Sequence, residues 1–167
     1  MNDIERQSVI AAVFFLLIYP APVLGQELPI LPDPALTPGV VATIDQALVC
    51  ATGDESYSRQ HRQTSSALKA TVRAEYHAQH CGEIDHRLPL SLGGADALGN
   101  LWCQPDGSWG WKTKDRLEDA TWQAVCHKRT MSLSDAQAIF MAPDWRVGYC
   151  ALPSAERLKD GPPCPPQ

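Results

Sequence analysis

The chain has 167 residues, enough for one domain with tails and too few for two full domains. Hydrophobic residues make up 44% and charged residues 20%, which excludes a disordered polymer and provides for a packed core. A net charge of −5 excludes the broad basic surface by which many proteins grip nucleic acid, so any such contact must rest on a local patch and a metal ion.

Residues 9–19, VIAAVFFLLIY, form an apolar run too short to cross a bilayer and of the length of a signal-peptide core. Val23 and Gly25 are small enough for the −3 and −1 positions of a cleavage site, so residues 1–25 read as a signal peptide. The leading MNDIERQ is acidic where export signals are basic, which leaves an uncleaved N-terminal anchor as the alternative. Residues 26–39, QELPILPDPALTPG, read as a proline-rich linker, residues 40–150 as the domain, and residues 151–167 as an irregular tail.

Within the domain, residues 64–80 predict a helix, capped by Thr64 or Ser65 and carrying Leu68, Val72 and Tyr76 at i, i+4, i+8. Residues 83–92, EIDHRLPLSL, have β-character interrupted by Pro89 and closed by Gly93-Gly94, and Asn100-Leu101-Trp102 opens a second short strand. Residues 112–127 predict a second helix with Leu117, Ala120, Ala124 and Val125 on one side. Residues 132–141 predict a third, opened by Ser132 with Asp135 three positions on and ended by Pro143, after which Trp145 and Tyr149 pack back on the body.

Cys50, Cys81, Cys103, Cys126, Cys150 and Cys164 all follow the apolar run. An even set in an exported chain implies disulfides, and six cysteines allow 15 pairings. No C-x-x-C pair occurs, so the usual structural zinc spacing is missing.

The densest chemistry lies in EIDHRLPLSLGGADALGNLW, residues 83–102. Hydrolysis of a phosphodiester needs a base for water, a cation for the phosphate charge, and rigid placement of both. Asp85 offers a hard oxygen suited to Mg²⁺ or Mn²⁺, and a neutral His86 can take the proton from water. The Asn100 amide can brace the two arms of the loop. Blander readings stand beside these: a surface histidine next to Asp85, and a turn asparagine after Gly99. On the helix, Lys114, Asp115, Arg116 and Glu118 read as a solvated face with a Lys114–Glu118 pair, or with Lys114 or Arg116 holding a phosphate. Trp109 and Trp111 flank Gly110 and offer faces for stacking on a base.

EIDHRLPLSLGG…NLW resembles the HNH nuclease motif of the ββα-metal, or His-Me finger, superfamily. YSRQHRQTSSALK upstream, and NLWCQP, KDRLED, AVC and SLSDAQAIF…DW downstream, resemble a family of small exported bacterial HNH-type proteins, over residues 38–150. The resemblance implies an α+β fold, with a ββα-metal hairpin-plus-helix motif embedded in a mostly helical, disulfide-stabilised single domain. It matches His86 to the general base, Asp85 to the metal ligand and Asn100 to the asparagine that orders the loop. The third signature residue, a His or Asn in the following helix, is missing; Lys112, Lys114 and Asp115 lie near its place, with Asp115 as the candidate second metal oxygen. In this frame the disulfides pair as Cys81–Cys103, Cys50–Cys126 and Cys150–Cys164.

The expected function is a metal-dependent endonuclease hydrolysing DNA or RNA, with Mg²⁺ or Mn²⁺ as the ion and Zn²⁺ or Ni²⁺ as alternatives. It would be a monomer, periplasmic or secreted, and free of the membrane once the signal is cut. Two competing expectations are a binding module that keeps the scaffold without catalysis, and a secreted nuclease toxin neutralised by an immunity protein. The missing third ligand and the acidic balance favour the binding module.

Overall fold

The computed structural model describes residues 28–164, so the signal-peptide reading of residues 1–25 lies outside the described residues. The fold is α+β and mostly helical: α1 (Gln46–Val49), α2 (Tyr57–His61), α3 (Ser66–Glu75), β1 (Glu83–His86), β2 (Leu101–Gln104), α4 (Trp111–Cys126), α5 (Leu133–Met141) and α6 (Arg146–Ala151). The strands pair antiparallel, with Asp85 opposite Trp102 and His86 opposite Leu101.

Local chemistry sets the helix ends. Ser65 Oγ accepts the Leu68 N–H and starts α3, which stops short of the predicted residue 80 because the chain turns left-handed at His77 (φ 49°). At α5, Ser132 Oγ accepts the Asp135 N–H and donates to the Asp135 carboxylate, satisfying one orphan donor of the first turn. The buried side of α4 carries Lys114, Leu117, Thr121 and Val125, a stripe at helical spacing.

Two cores flank the hairpin. On one side Val72 of α3 and Tyr76 just after that helix pack with Leu101, Trp102 and Cys103. On the other, Leu88 and Leu92 of the loop pack with Leu117, Val125, Phe140 and Tyr149 of the last three helices and with Trp145 just before α6. Burying these side chains supplies the main driving force for the fold, at about 25 cal/mol per Å² of apolar area. Disulfides join Cys50 to Cys126, Cys81 to Cys103, and Cys150 to Cys164. The first ties α1 to the end of α4, the second closes the hairpin at its base, and the third pins the tail to α6.

The predicted strand over residues 83–92 ends early, at His86. Pro89 has no N–H to give a ladder, and Leu90–Leu92 curls into a tight turn that sends Leu90 and Leu92 inward. The alternating leucines read as a strand because a turn can bury the same residues. Gly93 and Gly94 serve different needs here. Gly93 takes φ 84°, whereas a Cβ on Gly94 would stand 2.0 Å from the Leu88 carbonyl oxygen.

Arg87 stitches this loop to its surroundings. Its guanidinium donates to the Thr37 and Met141 carbonyls, each at 2.9 Å, and also reaches the Phe140 and Ala142 carbonyls. It thereby satisfies carbonyls at the end of α5. The described part of the proline-rich stretch is held against the body rather than standing clear of it. Thr37 is fully buried, and its hydroxyl donates to the Leu101 carbonyl at 2.8 Å. The tail is held likewise: Arg116 donates to the Glu156 carbonyl and the Leu158 N–H to the Tyr149 hydroxyl.

Candidate active site

The end of β1 presents Asp85 and His86 side by side. Neighbouring strand residues normally point to opposite faces, but here the strand stops, and Asp85 Oδ1 and His86 Nδ1 stand 3.9 Å apart. His86 Nε2 lies 2.9 Å from Asp96 Oδ1. Asp96 in turn accepts from the Thr64 hydroxyl and the Gln63 N–H. Burial alone would raise the Asp96 pKa, but these hydrogen bonds and the one to His86 outweigh it and bring it below the usual carboxylate range. An ionised Asp96 fixes the proton on Nε2 and leaves the Nδ1 lone pair open toward Asp85.

His86 is 2% exposed, so the surface-histidine reading is corrected. Burial lowers its pKa below the usual 6.5, against the pull of Asp96 and Asp85, and the ring is neutral at pH 7. That is the protonation state a base needs.

Asn100 is fully buried and ties the loop together. Its side-chain amide donates to the Leu88 carbonyl (2.9 Å) and the Ala95 carbonyl (2.8 Å), and its oxygen accepts from the Leu88 N–H (3.0 Å) and the Val40 N–H (3.3 Å). It is a brace for residues 88–95, and it does not touch His86 or Asp85 through a hydrogen bond. Its role is positioning.

The solvated-face reading of α4 is corrected at Lys114. This residue is 1% exposed, its Nζ bonds Asp85 Oδ2, and the Phe140 ring lies 5.5 Å from the ammonium. The helix turns that face toward the hairpin, and the Asp85 carboxylate offsets the cost of burying the charge. Burial works to lower the Lys114 pKa, but Asp85 and Glu118 outweigh it, so the ammonium stays charged. Arg116 points elsewhere, to the Glu156 carbonyl and to Asp119 (2.9 Å). Trp109 packs edge-on against Trp145 and Tyr149, and the Trp111 indole donates to Asp106.

A cleft of about 370 Å³ opens beside Asp85 and is lined by Arg62, Glu83, Ser91, Asp115 and Glu118. Burial and the neighbouring Asp85 and Glu83 push the Asp115 pKa up to about 6. Burial raises the Glu118 and Glu83 values too. A second groove, about 550 Å³, shares Arg62 and Glu83 with the cleft and adds Thr64, Lys69 and Arg73. Lys69 and Arg73 sit four apart on α3, and neither they nor Arg62 has a carboxylate within 4.0 Å among the described residues.

No protein-family model matches this chain, and neither a curated protein nor a solved structure matches it. The chemistry of the site rests on its own residues. For a divalent ion the donor set does not fit as placed. One Asp85 oxygen is taken by an ammonium, and among the described residues no three His, Cys, Asp or Glu side chains form a metal-holding group.

Two of these contacts are set by the fold and not by spacing in the sequence. Asp96 sits in ADALGN, where it looks like an ordinary loop acid, and only the fold brings it to His86. Lys114 stood in the right helix, but nothing in the spacing showed which way it faces.

Proposed function

We propose that the chain is an exported HNH-type endonuclease that hydrolyses phosphodiester bonds in nucleic acid, with His86 as general base. The observation that carries this is the buried Asp96–His86 pair, whose free Nδ1 faces Asp85 across 3.9 Å. A water spanning that gap can donate one proton to each atom. As it attacks, the water passes a proton to Nδ1 while its oxygen bonds to phosphorus. The bond to the leaving oxygen breaks, and that oxygen takes a proton from solvent. Asp96 holds the ring and stabilises the imidazolium that forms. Fixed placement of base and water accounts for part of the rate. No step is assigned to a metal ion, because Asp85 already holds the Lys114 ammonium.

The groove with Arg62, Lys69 and Arg73 supports a polyanionic substrate despite the acidic whole. It leads into the cleft at Arg62, so a strand lying on it brings a phosphate toward Asp85. Three disulfides favour an oxidising compartment, and with it export.

One observation favours a second reading, a binding module without catalysis: His86 is so deeply buried that substrate must part the cleft walls to reach it. Plasmid nicking by the purified, oxidised protein separates the two. The nuclease reading expects nicking that His86→Ala abolishes while the fold survives; equal activity in both proteins rejects it.

A further inference from the structure

The cation that a phosphodiester-cleaving site requires is already present as a side chain. Lys114 lies in the first turn of α4, the helix that follows the hairpin, and its stem runs inward to place Nζ against Asp85 Oδ2. Around this one ammonium stand three more carboxylates of the cleft: Asp115, Glu118 and Glu83. Arg62 is the other cation of that cleft. A buried ammonium is tolerated only where a carboxylate meets it, and a buried carboxylate only where a cation does. Each is the other's condition. A divalent ion arriving at Asp85 would have to displace the ammonium, strand it in the core, and then sit beside it.

We propose that the Lys114 ammonium is the resident cation of this site: it holds and neutralises Asp85, so Asp85 is an ion-pair partner and not a metal ligand. This rests on the nuclease reading only for its catalytic consequence, that hydrolysis proceeds with a chelator present. The pairing itself is testable without activity.

The test is calorimetric titration of the oxidised full chain with Mn²⁺ and with Mg²⁺, paired with thermal unfolding with and without each ion. Wild type and Asp85→Asn are expected to give the same heats. Lys114→Met is expected to unfold at a lower temperature than wild type, because it leaves the Asp85 carboxylate buried without its cation, and to stay silent to both ions. Asp85→Asn combined with Lys114→Met is expected to regain part of that loss, because the stranded charge is gone. If Lys114→Met does not fold, Lys114→Arg keeps a cation and is expected to stay silent to Mn²⁺, as wild type does. Mn²⁺ uptake by wild type that disappears in Asp85→Asn overturns the proposal.

Cleavage assays in EDTA and in Mg²⁺ keep the two claims apart. Nicking that requires Mg²⁺, with an ion bound through Asp85, sinks the Lys114 assignment and leaves the nuclease reading standing. Silent titrations with no nicking under any condition reject the nuclease and leave Lys114 as a structural cation.

Discussion

His86 Nε2 stands 2.9 Å from Asp96 Oδ1, ten positions further along the chain, while His86 Nδ1 turns toward Asp85. This pairing leaves the buried histidine one defined lone pair, on Nδ1, and under the proposed nuclease function it orients the base. Asp96→Asn keeps the size of the side chain and removes the charge that sets the tautomer. Cleavage is expected to fall by roughly 10²-fold or more with little change in secondary structure. Retention of full activity in that variant rules out an orienting role for Asp96.

The pH dependence follows from the environment of His86. Its folded pKa lies below 6.5, so the unfolded chain binds a proton that the folded one resists. The stability it contributes is therefore present above about pH 6.5 and is lost as the pH falls through the folded value. Urea midpoints should drop across that window in wild type and drop less in His86→Gln. Cleavage should be flat between pH 7 and 8, where the base is already neutral.

Asp115 behaves in the opposite sense. Burial and the facing Asp85 and Glu83 raise it to about 6, against the attraction of Lys114 and Arg62. A raised acid favours the fold below its unfolded value of 3.8, and that contribution disappears as the pH rises through about 6. Asp115→Asn should therefore raise the unfolding midpoint at pH 7 and leave it nearly unchanged at pH 3.5. A midpoint that falls at pH 7 would show that the carboxylate has an attractive partner instead.

Asn100→Ala removes four hydrogen bonds from a residue with no exposure and strands the Leu88 N–H and carbonyl inside the protein. Unpaired buried backbone groups cost about 1–3 kcal/mol each, so denaturant unfolding should register a loss of about 3 kcal/mol. A loss under about 1 kcal/mol would mean the loop holds its shape without the brace.

The basic groove makes a prediction about salt. Lys69→Gln and Arg73→Gln should each weaken the binding of a single-stranded oligonucleotide to the His86→Ala protein and reduce the slope of log affinity against log salt by about 0.7. Unchanged affinity and slope would place the strand elsewhere.

How much of this was legible in the sequence varies by element. Ser132 with Asp135 marked α5 because a helix start is local chemistry, and Leu117, Ala120, Ala124 and Val125 marked α4 because burial follows helical spacing. Residues 88–92 misled because a Leu-x-Leu-x-Leu pattern fits a strand and an inward turn equally. At the site, Asp85 and His86 could be picked out since they are adjacent and chemically distinctive. Asp96 could not, because its partners Thr64 and Gln63 arrive from 32 and 33 positions away. The burial of Lys114 is not legible for an energetic reason: lysine is almost never buried, and the Asp85 carboxylate on β1 makes this one an exception.

The most direct measurement is a double-mutant cycle on oligonucleotide cleavage by wild type, His86→Ala, Asp96→Asn and the combined variant. If Asp96 acts through His86, each single variant should lose nearly all cleavage, and the second substitution should add almost no further loss. Cleavage by His86→Ala at the wild-type rate would contradict the assignment of the base.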